Sequence, residues 1–189
     1  MISAILLAAG RSKRMNGENK LSKEIQGIPL IKLSVKNILA SSIDELIIVL
    51  GYQKEIIKKL IDKNEKIKFV FNKDFESGMA SSIKTGLNNL SKKTEAFFIC
   101  LGDMPMVNKN IYNLLIKSKN NKKIIVPAYK SEQGNPVLFS KSMKKEVMTI
   151  EGDVGAKKIL ELNKDKILSI ETNDQNVTKN FNTQDNFSS

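Results

Sequence analysis

Residues 3–20, SAILLAAGRSKRMNGENK, set the frame for the whole chain. Ser3–Ala8 is a continuous apolar run of strand length, halted by Gly10, which is the pattern of a strand buried on both faces. A loop crowded with cations follows. The chain carries 31 Lys and Arg side chains, and its two arginines, Arg11 and Arg14, both fall between Gly10 and Gly17. A small-residue turn lets backbone N–H groups approach a phosphate chain. Arginine adds a rigid fork that matches phosphate oxygens, and Lys20 adds a mobile point charge. The spacing is neither G-x-G-x-x-G nor G-x-x-x-x-G-K-[ST]. The same residues also read as a surface turn with solvated charges.

Working outward, strand-like runs alternate with helix-period segments. Pro29 opens a helix with Leu30, Leu33, Ile38 and Leu39 on one face. ELIIVLG (45–51) is a second strand, and QKEIIKKLIDK (53–63) a helix with Ile56, Ile57, Leu60 and Ile61 at helical spacing. KFVFN (68–72) is a third strand, SGMASSIKTGLNNL (77–90) a loop entering a helix, and AFFICLGD (96–103) a strongly apolar fourth strand. NKNIYNLLIKS (108–118) is a helix with Asn108 as N-cap. KIIVPAY and NPVLFS are strands joined by the polar turn KSEQG, DVGAKKILEL is helical and KILSIET is a late strand. The polar tail from about residue 172 is expected to be partly flexible. This alternation predicts an α/β fold with a mostly parallel sheet and helices on both faces, in a single domain over residues 1–189.

Composition narrows the function classes. The chain has no histidine, which excludes Ser-His-Asp triads, histidine general bases and histidine-ligated zinc. Its single cysteine, Cys100, lies in an apolar run, reads as a small buried hydrophobe, and points to a reducing cytoplasm. No apolar run approaches the roughly 20 residues of a membrane span. The net charge of +11 is spread along the chain without a basic stripe or interleaved aromatics, which speaks against nucleic acid as a partner. Small phosphate-bearing molecules fit that charge.

In parallel sheets ligands bind beyond the carboxyl ends of the strands, and the unusual residues follow strands. Asp103, after Gly102 at the end of the fourth strand, is placed to anchor Mg²⁺, which typically binds one or two carboxylates plus substrate phosphates. It is equally a carboxylate capping a turn. Ser77, Gly78, Ser81 and Ser82 at a helix start offer N–H groups and hydroxyls for a base, ribose or phosphate, although Ser77 also reads as a plain cap. Gly134, Asn135 and Pro136 form a substrate-facing loop or a simple turn, and Asp153 precedes a helix as an N-cap or a site residue.

Together these segments resemble a known family. LAAGRSKRMNGENK is similar to the L-A-A-G-x-S-x-R-M-G-x-x-K signature of nucleotidyltransferases that couple a nucleoside triphosphate to a phosphorylated acceptor. SGMASSIKTGL, LGDMPMV, GNPVLF and GDVGAKKIL resemble the molybdenum cofactor cytidylyltransferase branch of the MobA-like NTP transferases. Ala9 gives L-A-A-G, as in that branch, where guanylyl relatives usually read L-A-G-G. The resemblance implies a three-layer Rossmann-like nucleotidyltransferase fold, CTP and molybdopterin as substrates, Mg²⁺ as cofactor and a molybdenum hydroxylase as recipient. It assigns catalysis to Arg14, Lys20 and Asp103. Nucleotide binding falls to Leu7, Ala8, Ala9, Gly10, Arg14, Lys20, Ser81, Gly102 and Asp103. The acceptor falls to Gly134, Asn135, Pro136 and Asp153, and the metal to Asp103 and Asn182. Two departures stand out. Asn16 occupies a usual glycine position with Gly17 one place later, and Asn182 stands where many relatives carry an aspartate. Other acceptors, such as a sugar phosphate or an isoprenoid precursor, and a non-catalytic cofactor carrier remain alternative readings.

Overall fold

The computed structural model describes residues 1–11, 19–119 and 121–181. Its centre is β1 (Ile2–Ala8), which has β4 (Glu45–Leu50) on one side and β6 (Ala96–Leu101) on the other, both parallel. Between β1 and β4 lie a two-residue hairpin, β2 (Glu24–Ile25) with β3 (Ile28–Pro29), and α1 (Leu30–Leu39). After β4 come α2 (Lys54–Lys59), β5 (Ile67–Phe71), which pairs parallel with β4, and α3 (Met79–Asn88) leading to β6. Beyond β6 run α4 (Lys109–Lys117), β7 (Ile124–Tyr129), β8 (Glu132–Gln133), β9 (Val137–Ser140), α5 (Lys144–Val147), α6 (Ala156–Leu162) and β10 (Ile167–Glu171).

The eight-stranded sheet has the order β10-β7-β9-β6-β1-β4-β5, with β8 on β7. The expected mostly parallel sheet is found, with β8 and β9 as the reversed strands. From β1 the chain builds outward through β4 and β5, then returns to place β6 on the other flank of β1. That reversal of strand order makes the carboxyl ends of β1 and β6 a switch point, where open α/β sheets bind ligands.

The pleat divides the core. Ala4, Leu6, Leu46, Ile48, Phe98 and Cys100 pack with Ile31, Val35 and Ile38 of α1, Ile57 of α2 and Leu115 of α4. Ile5, Ile47, Val49, Phe97 and Ile99 face the other way, onto Ile83 and Leu87 of α3, Val147 of α5 and Ile159 of α6. The result is helix, sheet, helix in three layers. No helix among the described residues is long and apolar enough to cross a membrane.

Local details depart from the sequence expectation. The α1 stripe is Leu30, Ile31, Ser34, Val35 and Ile38, with Leu33 and Leu39 at its margins, and Pro29 is the N-cap. α2 is shorter than its periodicity suggests. Its end tightens into i→i−3 bonds from Leu60 to Ile57 and Ile61 to Lys58, which leaves Ile56 exposed. Between 172 and 181 the chain is anchored at two points. Thr172 N–H donates to the Ala128 carbonyl, and Val177 is fully buried.

Cys100 is the buried hydrophobe expected of it, at 1% exposure. Burial pushes its thiol up to about 12, partly offset by a hydrogen bond from the Tyr112 hydroxyl. Burial and the neighbouring Cys100 also raise Tyr112 well above its usual range. The unfolded thiol titrates near 9.0 while the folded one keeps its proton to about 12. Between those values the folded state binds more protons, so stability is intact below about pH 9 and falls as pH rises. Denaturant midpoints between about pH 8 and pH 10 should show a loss on the order of 1 kcal/mol, largely absent in Cys100→Ala.

Candidate functional site

The floor of the switch point is built of backbone. Gly102 N–H donates to the Leu7 carbonyl at 3.1 Å, and Tyr52 N–H to the Ala9 carbonyl at 3.1 Å. A Cβ at Gly102 would stand 2.8 Å from the Leu7 oxygen, and one at Gly51 2.6 Å from the Ala9 oxygen. Only glycine permits these approaches. Of the residues expected to face the nucleotide here, Ala8 and Ala9 are buried and Leu7 is half-buried, while Gly10 is exposed. The Leu7 and Ala9 carbonyls are already engaged, so this turn offers a ligand the backbone at Gly10.

Lys20 begins a short turn, Lys20–Ser22, capped by Asn19, whose side chain accepts from Leu21 N–H at 3.1 Å. Asn19 is 2% exposed and also donates to the Tyr52 carbonyl at 3.4 Å. That anchorage aims the lysine across the floor. Lys20 Nζ meets Asp103 Oδ2 at 2.5 Å, an ion pair between side chains that are 22% and 14% exposed. Partial burial strengthens such a pair relative to one in open solvent. The Gly102–Pro105 turn is held from beneath. Ser34 Oγ donates to the Gly102 carbonyl at 3.0 Å, and Asn37 Nδ2 to the Pro105 carbonyl at 2.8 Å. Phe181 N–H donates to the Asp103 carbonyl at 2.9 Å. Asp103 is therefore fixed through its own backbone, its side chain and its neighbours. Asn182, the other expected metal ligand, lies outside the described residues, as does Arg14.

No group of three or more acidic, cysteine or histidine side chains that could hold a metal occurs among the described residues. Among the described residues this site offers one carboxylate, Asp103. Mg²⁺ does fit, because it commonly takes one or two carboxylates and completes its shell with water and substrate phosphate.

A second rim lies along β5 and α3. Asn72 follows β5 and is 2% exposed. Its Nδ2 donates to Ser81 Oγ at 2.8 Å and Ser82 Oγ at 3.0 Å, and its Oδ1 accepts from Asp74 N–H at 3.0 Å. Ser81 Oγ donates in turn to the Gly78 carbonyl at 2.8 Å or that of Asp74 at 2.9 Å. The expectation of open N–H groups at the start of α3 is not met. Met79 N–H donates to Asp153 Oδ1, and Ala80 N–H to the Gly152 carbonyl. Ser77 is not the cap either; Gly78 holds that position. Arg11 bridges toward this rim, with Nη1 2.9 Å from Glu76 Oε1 and its guanidinium 5.5 Å from the Tyr52 ring centroid.

The third edge is the loop entering β9. Because β9 runs antiparallel, with Val137 opposite Ile99, its start lies at the carboxyl end of β6. Gly134 N–H donates to the Pro127 carbonyl and Asn135 N–H to the Val177 carbonyl, each at 2.8 Å, and the Asn135–Pro136 peptide is cis. A Cβ on Gly134 would collide with the Val177 carbonyl. The structure thus joins Lys20, Gly102 and Asp103 directly and brings the β9 loop to the same end of the sheet. Asp153 sits on α3. Asn72 and Tyr52 escaped the sequence reading, although an asparagine directly after a strand is itself a signal at this end of an α/β sheet. A cavity of about 550 Å³ lined by Ile28, Pro29, Val35, Leu39 and Ile61 contains none of the expected site residues.

The model of the MobA-like NTP transferase domain matches residues 4–168. A probable molybdenum cofactor guanylyltransferase of Methanosarcina acetivorans is 31% identical over 153 residues, covering 79% of this chain and 67% of that protein. The molybdenum cofactor cytidylyltransferase of Escherichia coli K12 is 30% identical over 140 residues, covering 74% and 70%. The chain thus spans about two thirds of these relatives' length. In structure it resembles Rv0371c of Mycobacterium tuberculosis H37Rv, with a TM-score of 0.87 at 22% identity over 98% of this chain and 95% of that one. Rv0371c has also been solved in complex with manganese.

Proposed function

From the premise that the chain belongs to the MobA-like NTP transferase family of nucleotidyltransferases, we propose that it transfers CMP from CTP to the terminal phosphate of molybdopterin. A phosphate oxygen of the acceptor forms a bond to the α-phosphorus of CTP, the bond to the bridging oxygen breaks, and pyrophosphate leaves. The observation that carries this reading is the Lys20–Asp103 pair at the β1/β6 switch point.

The nucleophile is already an anion, so no general base is required, in keeping with a chain that lacks histidine. Catalysis rests on alignment and on neutralising charge. Lys20 and Arg14 stabilise the triphosphate and the departing pyrophosphate. Gly10 presents its backbone to the nucleotide, and Ser81, oriented by Asn72, lies on the base or ribose side. Gly134, Asn135 and Pro136 border the acceptor. Asp103 and Asn182 would hold Mg²⁺, which would supply Lewis-acid polarisation and charge neutralisation at the phosphates. Product would pass to a molybdenum hydroxylase.

Ala9 supports CTP over GTP, because it gives the L-A-A-G turn of the cytidylyl pattern that the sequence resembles. The guanylyl reading is favoured in turn by the similarity to the Methanosarcina protein. Incubation with each nucleoside triphosphate, Mg²⁺ and either molybdopterin, a sugar phosphate or methylerythritol phosphate, followed by pyrophosphate measurement, decides between them. Release is expected with CTP and molybdopterin. Release with GTP alone would move the chain to the guanylyl branch, and tight pterin binding without release would make it a carrier.

A further inference from the structure

The first turn of α3 is capped from a distant part of the chain. Gly78, its N-cap, has no side chain, and its φ of 109° is one that glycine adopts most readily. The missing cap comes from 74 residues downstream, where Asp153 Oδ1 accepts from Met79 N–H at 3.2 Å. The Gly152 carbonyl takes Ala80 N–H at 3.1 Å. The two backbones interlock as well. A Cβ at Gly78 would strike the backbone of Gly152 and Asp153, and one at Gly155 would stand 2.8 Å from Met79 Sδ. Asp153 is itself exposed and contributes nothing to the core. A carboxylate at a helix N-terminus also meets the positive end of the helix dipole.

We propose that Asp153 is a positioning residue for the nucleotide, acting through α3. This assignment rests on the nucleotidyltransfer reading and moves Asp153 from the acceptor wall to the nucleotide wall. Gly78 links the clasp to the site, because its carbonyl accepts from Ser81 Oγ, which Asn72 also holds. Loosening residues 78–80 therefore shifts Ser81 and leaves Lys20 and Asp103 undisturbed.

The test pairs kinetics with amide exchange on Asp153→Ala and Asp153→Asn. Loss of a helix cap corresponds to a factor of about threefold to thirtyfold. In Asp153→Ala the KM for the nucleotide should rise by about that factor, with kcat and the acceptor KM within about twofold of wild type. Exchange at the Met79 and Ala80 amides should accelerate comparably. Asparagine retains a capping oxygen, so Asp153→Asn should restore both readouts. A rise in acceptor KM alone would overturn the proposal and return Asp153 to the acceptor, as would unchanged exchange at Met79 and Ala80. A wild type inert toward every nucleoside triphosphate would defeat the nucleotidyltransfer reading, while amide exchange would still judge the clasp.

Discussion

Asp103→Asn is expected to lower kcat by ~10²–10³ or more while the protein stays folded, the size typical of removing one preorganised electrostatic partner from an active site. The substitution keeps the shape of the side chain and leaves the backbone carbonyl that receives Phe181 N–H in place. It removes the charge that pairs with Lys20 and that, on the proposed reading, would anchor a divalent cation. Pyrophosphate release across a Mg²⁺ titration is the measurement, with thermal melting as the control for folding. Wild type should lose activity on chelation, whereas the variant should be almost as slow with the metal as without it. Near-normal turnover in a folded Asp103→Asn would remove this carboxylate from the metal assignment.

Lys20→Met should cost about as much, roughly 10² in kcat/KM for the nucleotide. Methionine preserves much of the apolar stem but deletes the charge. That charge balances Asp103 in the free protein and, on the proposed reading, would balance the phosphates in the complex. Lys20→Arg is expected to rescue poorly. The pair is a compact ammonium held 2.5 Å from one carboxylate oxygen, and a planar guanidinium needs more room and a different approach. Initial rates over a matrix of nucleotide and Mg²⁺ concentrations check both variants. Full activity in Lys20→Arg would show that charge alone matters at this position.

Much of the fold was legible because strands buried on both faces announce themselves as unbroken apolar runs. β1, β4 and β6 are of this kind, and each was found within about a residue or two of its expected bounds. Strand direction is not written in such runs, so β9 looked like any other buried strand, although it lies antiparallel to both neighbours. The β2–β3 hairpin has two residues per strand, too few for any periodicity to show. Asp103 and Lys20 could be picked out because they are charged and sit close after strand ends. The partners of Asp153 and Asn72 could not. The Asp153 contact joins residues 74 apart and exists only once α3 and the loop before α6 have packed. Likewise hidden in the sequence are the Leu7 and Ala9 carbonyls' partners, Gly102 N–H and Tyr52 N–H, which meet them only in the assembled sheet.

The glycine floor has a consequence for how such a site can change. Where Gly102 lies on Leu7 and Gly51 on Ala9, main chain comes so close to main chain that neither glycine can take a side chain in place. With those two glycines held fixed, redesign of base preference has Ala9 and the rim to work with, above all the first turn of α3 and the residue after β5. The catalytic platform and the recognition surface are thereby separable, and the second can drift while the first stays fixed.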